Sequence, residues 1–176
     1  MVEKLFRDTA IAADSAVLLH LGPGNYTAQI AGGDGTDGVG LIEVYDLDAP
    51  ERVRLANLSV RARVATGERV IIGGIVIGGG VKKQVLVRAA GPALAAFGVS
   101  GALARPKLTL LRNNSVVATA AAWNAQPNAA EIRSLAKTVD AFAFAEGSAD
   151  AAMVLELEPG AYTAQVAGVD GAEGVA

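Results

Sequence analysis

This chain of 176 residues has no cysteine, one histidine and one tryptophan. Without cysteine there is no disulfide framework, no thiolate nucleophile and no zinc–thiolate cage. The single histidine, His20, leaves a Ser–His–Asp triad or a multi-histidine zinc site short of converging partners. Charge is sparse as well: charged residues are 19% of the chain and the net charge is −3. The clustered Lys and Arg that grip phosphates are lacking, so nucleic acid is not the expected partner. Arg52 and Arg54, like Arg61 and Arg63, are spaced i, i+2, which places each pair on one solvated strand face. The longest apolar run, Val70–Val81, has 12 residues and is interrupted by glycines. A spanning helix requires roughly 20 apolar residues, so no membrane span is expected. Residues 1–8 show neither the apolar stretch nor the cleavage pattern of a secretion signal.

Alanine, valine and glycine are abundant. Hydrophobic residues make up 52% of the chain, and 21 glycines are spread among them. That mixture suits short strands joined by tight turns. The length suits one domain with a real core, or one and a fraction.

The organising feature is an internal repeat. Asp14–Gly40 (DSAVLLHLGPGNYTAQIAGGDGTDGVG) returns as Asp150–Ala176 (DAAMVLELEPGAYTAQVAGVDGAEGVA) at a constant offset of 136 positions, with 16 of 27 residues identical. The first copy runs on into Leu41-Ile42-Glu43-Val44-Tyr45-Asp46-Leu47, a strong strand pattern. The second stops at Ala176, where its counterpart strand is due. The expected organisation is therefore two-part. Residues 1–47 are the C-terminal part of a preceding repeat, a hairpin plus a donor-type strand. Residues 48–176 are a main β-sandwich repeat lacking its last strand, with Asp48-Ala49-Pro50-Glu51 as the boundary.

Read in order, Val17–Leu21, a Gly22-Pro23-Gly24-Asn25 turn and Tyr26–Ile30 predict a hairpin. Val53–Val64 alternates over a long strand, and Thr66-Gly67-Glu68 turns into Val70–Ile77. In Lys82–Ala89, Val85 and Val87 share one face, Leu86 and Arg88 the other. Pro92–Phe97 predicts one helical turn with Pro first. Lys107–Arg112 and Ser115–Ala122 form a hairpin over Asn113-Asn114, residues that tolerate positive φ. Asn128, with Glu131 three residues on, opens a helix whose apolar stripe is Ile132, Leu135, Ala136 and Val139. Met153–Leu157 and Tyr162–Val166 predict the second hairpin. Seven or eight short strands with one short helix predict an all-β fold, an antiparallel β-sandwich of immunoglobulin-like or jelly-roll-like type.

One set of residues carries a family resemblance: Val76-Ile77-Gly78-Gly79, Val85–Val99, Leu108–Leu111, Trp123, Pro159–Val166 and Leu41–Asp46. Together they resemble a bacterial secreted and cell-surface β-sandwich repeat of Verrucomicrobia-like exported proteins, whose repeats close on PGAYTAQV…GVALVEVYD. The hairpin is distantly similar to the last strands of pre-peptidase C-terminal domains. The resemblance implies export, an extracellular or cell-surface place in a bacterium, and a structural or adhesive role without catalytic residues. Ala120-Ala121-Ala122 stand here where the family often has Asn or Asp before the Trp.

The candidate metal ligands are Asp34 and Asp37 and their echoes Asp170 and Glu173, in Gly-rich loops. Ca²⁺ takes six to eight oxygens, and each loop alone offers fewer, so these residues read first as turn formers. Gly73-Gly74 and Gly78-Gly79-Gly80 lack the Lys-Ser/Thr of a phosphate loop. Trp123, Tyr26, Tyr45 and Tyr162 are the aromatics available to a glycan, but the equivalent hairpin positions of the repeated Tyr26 and Tyr162 favour core packing. The expected function is non-enzymatic: an extracellular structural subunit that partners itself head to tail, with Leu41–Leu47 as the assembly strand completing a neighbour's sheet. The alternatives are a carbohydrate-binding or adhesion module of a larger exported protein, and a closed monomer in which residues 41–47 fold back on their own sandwich.

Overall fold

The computed structural model describes Ala16 and residues 18–31, 39–47 and 55–176. The chain divides into two units, Met1–Leu55 and Ala56–Ala176. In the second unit, strands form where period-2 apolar patterns meet turn residues. β1 (Arg63–Val64) precedes a turn at Gly67, β2 (Ile71–Ile77) follows, and β3 (Lys83–Ala89) comes after a run of three glycines. β4 (Pro106–Arg112) and β5 (Ser115–Ala120) close on Asn113 and Asn114, whose φ angles are 49° and 62°. Two consecutive positive φ values match the twist of a two-residue hairpin, and asparagine tolerates them.

Pro92 begins a 3-10 turn to Phe97, which Gly98 ends at φ 74°. α1 (Ala129–Thr138) buries Ile132 from its apolar stripe. Asn128 precedes α1 without capping it; its amide donates to the Glu131 carboxylate at 3.3 Å. β6 (Ala151–Leu157), β7 (Gly160–Gly168) and β8 (Gly174–Val175) complete the unit.

The eight strands form three antiparallel sheets: β2-β7-β4-β5, β3-β6 and β1-β8. The fold is an all-β antiparallel sandwich with one short helix. Leu108 and Leu110 of β4 and Tyr162 and Val166 of β7 share one core with Ala151, Met153 and Leu157 of β6. Strand alternation sends Ala152 of β6 the other way, against Trp123 and Ile132. The β3-β6 sheet is therefore buried on both faces, by the larger sheet on one side and by the α1 region on the other.

Two expectations need correction. β6 and β7 flank the Glu158-Pro159 turn but do not pair with each other. β6 pairs with β3, with Leu157 opposite Lys83, and β7 lies between β2 and β4. The turn crosses from one layer of the sandwich to the other, and residues 78–82 make the same crossing from β2 to β3. Leu157 and Tyr162 explain why: both are buried in the same core, which they enter from opposing sheets. The glycine run 78–80, with Gly79 at φ 84°, thus serves a corner between layers.

The second correction concerns the strand expected over Val53–Val64. Only Arg63–Val64 is in a ladder; residues 55–62 carry no strand and are exposed. Residues 53 and 54, Val17 and the 48–51 boundary lie outside the described residues. Residues 18–21, 26–30 and 41–47, also expected as strands, carry none and are exposed. A strand pattern becomes a strand only when a second backbone accepts its N–H and C=O groups.

Candidate assembly site

Residues 41–47 are rich in large apolar side chains, yet every side chain among them is exposed, including Leu41, Ile42, Val44, Tyr45 and Leu47. The Tyr45 hydroxyl donates to Glu43 Oε1 at 3.0 Å. That hydrogen bond and the negative charge of Glu43 hold the Tyr45 pKa above its ordinary value. The Leu55 N–H donates to Asp46 Oδ2 at 3.0 Å. A run of large apolar side chains left in water is the kind of segment that pairs with another surface.

The second unit joins its first and last strands. β8 pairs with β1, Arg63 opposite Val175 and Val64 opposite Gly174. One step further, Ala62 and Ala176 exchange two backbone hydrogen bonds of 3.1 Å each. Leu103 N–H donates to Val175 carbonyl oxygen and Val175 N–H to Gly101 carbonyl oxygen, which anchors β8 on its other side. A side chain at Gly174 would put its Cβ 2.6 Å from the Leu103 Cα, so glycine is needed for this close approach. Upstream of Ala62 the ladder stops, leaving Leu55, Leu58 and Val60 exposed.

Asp34 and Asp37 lie outside the described residues. Their echoes go to separate partners. Asp170 Oδ2 accepts from Arg105 Nη1 at 3.0 Å; Glu173 Oε1 accepts from the Thr66 N–H at 3.2 Å, and its other oxygen lies 3.9 Å from Arg63. Among the described residues no group of three or more His, Cys, Asp or Glu could hold a metal ion, and no helix is long and apolar enough to cross a membrane. Trp123 is buried, with Nε1 donating to Ala145 carbonyl oxygen and Ser148 Oγ at 3.3 Å each. Its indole has no open face for a sugar. Tyr162 is buried in the core, whereas Tyr26 and Tyr45 are exposed.

Sequence reasoning missed the polar centre of the second unit. Asp150 is fully buried; Oδ1 accepts from the N–H groups of Gly91 (2.7 Å) and Ala93 (3.2 Å), and Oδ2 from the Ser148 hydroxyl (2.7 Å). The carboxylate ties the Pro92 turn to the start of β6. Arg88, missed too, lies over the Phe144 ring (3.9 Å) and the Phe142 ring (4.6 Å) and donates to the Phe142 carbonyl oxygen. Burial lowers the Arg88 pKa, and the charge of Asp150 opposes that shift. Beside Asp150 lies an open, mostly apolar cleft of about 280 Å³, bordered by Pro92, Ala96, Phe97 and Ala143. The signal for Asp150 was present: both copies of the repeat begin with Asp. Comparison of the chain with family models, with curated proteins and with solved structures finds no match.

Proposed function

We propose that this protein is a non-enzymatic structural subunit of the bacterial cell exterior that assembles head to tail, residues 41–47 of one copy adding a strand to the sandwich of the next. One observation carries the reading: a segment with five large apolar side chains exposed to water belongs to no ladder among the described residues. Leaving five large apolar side chains exposed forgoes roughly 1.5–3 kcal/mol for each that a partner buries fully. Backbone pairing adds to that gain, as in β-strand addition to a sheet edge. Because donor and acceptor are different surfaces, the contact is heterologous and propagates into a filament or array unless it closes into a ring. The resemblance to bacterial exported repeats supports the same reading and supplies the location.

Electron microscopy of the purified chain tests it. The expected image is linear particles that disappear when Ile42 and Val44 are both replaced by Glu. Particles that survive Ile42→Glu/Val44→Glu, or dispersed single molecules of the parent chain, sink the proposal.

A further inference from the structure

Three stretches of the chain share a spacing that strand donation does not use: Asn25-Tyr26-Thr27, Asn57-Leu58-Ser59 and Asn113-Asn114-Ser115. In each, a hydroxyl residue follows an asparagine two places on, with no proline between them. That is the acceptor triplet for an N-linked sugar. Six asparagines and 14 serines and threonines among 176 residues give about 0.5 such triplets by chance, and there are three.

The third triplet sits where the fold displays it. Asn113 and Asn114 are the turn between β4 and β5, and Ser115 opens β5 opposite Arg112. All three residues are exposed. Neither the Asn113 amide nor the Ser115 hydroxyl makes a side-chain hydrogen bond among the described residues. Asn128, which starts no such triplet, is half-buried and donates to the Glu131 carboxylate. Turn chemistry accounts for asparagine at two successive positive φ values. It asks for no hydroxyl at 115. A substituent on Asn113 Nδ2 extends an exposed side chain into water and breaks no hydrogen bond.

We infer that Asn113 is a site of N-linked glycosylation, whose substrate is a sugar activated as a glycosyl phosphate or pyrophosphate. Asn113 Nδ2 bonds to the sugar C1 as the C1–O bond to the phosphate breaks. The phosphate leaves with the electron pair, the amide gives up one proton, and nothing is oxidised or reduced. A separate transferase performs this step and reads the Ser115 hydroxyl as part of the triplet. The modification does not depend on whether copies associate through residues 41–47.

Mass spectrometry of the full chain, isolated from the cells that produce it, provides the test. Trypsin cuts after Arg112 and Arg133, and the 113–133 peptide is expected to carry a sugar that fragmentation places on Asn113. Ser115→Thr should keep the sugar. Ser115→Ala should remove it while leaving Asn113 in place, and Asn113→Asp, which tolerates the same positive φ, should remove it too. An unchanged circular dichroism spectrum shows that each variant still folds. A sugar chain of variable length, grown one unit at a time, marks a nucleotide-sugar donor; one oligosaccharide of fixed size marks a lipid-pyrophosphate donor. A 113–133 peptide found only unmodified, a sugar on Ser115 itself, or a sugar that survives Ser115→Ala overturns the assignment.

Discussion

The two copies of the repeat have nearly the same sequence and opposite surroundings. Tyr162 is 5% exposed and Tyr26, its counterpart, 55%; Leu157 is 3% exposed and Leu21 53%. One feature is common to both. The Tyr162 hydroxyl donates to the Glu158 carbonyl oxygen at 2.9 Å, and the Tyr26 hydroxyl donates to the Gly22 carbonyl oxygen at the same distance. Each bond spans the Pro-Gly turn of its copy. The turn is thus encoded locally, within five residues. The strands on either side of it are not. β6 and β7 exist because β3 accepts one and β2 and β4 flank the other, and all three partners come from residues 71–112. Residues 18–21 and 26–30 have no such partners among the described residues, and their apolar side chains stay in water.

This contrast can be broken by matched substitutions, read as urea-unfolding free energies. The largest difference is expected at the tyrosines. Tyr162→Ala should cost about 3–5 kcal/mol, the range for a buried aromatic, and Tyr26→Ala less than about 0.5 kcal/mol. Leu157→Ala should cost about 2–5 kcal/mol against a near-neutral Leu21→Ala. Equal losses within either pair would mean that the first copy is as well packed as the second. Asp150→Ala should cost roughly 3 kcal/mol, since it strands the buried Gly91 N–H, the partly buried Ala93 N–H and the Ser148 hydroxyl. Arg88→Met should lose about 1–2 kcal/mol from the stacks on Phe142 and Phe144, with relief of the cost of a half-buried charge limiting the loss. The finest comparison removes only the shared hydrogen bond. Tyr162→Phe should cost about 1 kcal/mol, whereas at exposed Tyr26 water replaces the bond and Tyr26→Phe should cost a few tenths.

Much of the second unit was legible in the sequence. Asn113-Asn114 announced the β4–β5 hairpin, Pro92 the 3-10 turn, and the alternation of Val85, Leu86, Val87 and Arg88 placed each side chain on its proper face. What local pattern could not supply was pairing. A Pro-Gly turn between two alternating runs looks the same whether the runs pair with each other or separate into two sheets, and here Ile71 of β2 finds Val166 of β7 far along the chain. The long strand over Val53–Val64 was overcalled for the same reason: alternation gives a face, and only a partner gives a ladder. At the candidate site the apolar content of residues 41–47 was visible at once, and their exposure came only from the structure. Asp150 escaped notice because its value lies in N–H groups near residue 91, a proximity no spacing rule reveals. Trp123, one of four aromatics available to a glycan, is a core residue.

Hydrogen exchange offers an independent view of the same contrast. Amides of β7, central in the four-stranded sheet, should exchange slowest, and those of residues 26–30 fast. Residues 41–47 should gain protection as protein concentration rises.

Sedimentation of the full chain across a wide concentration range tests strand donation most directly. The account predicts a mass that climbs from 17.8 kDa through successive multiples, with Ile42→Glu and Val44→Glu each holding the protein at the lowest value. A single species of one chain's mass at every concentration, or association indifferent to both substitutions, would contradict it.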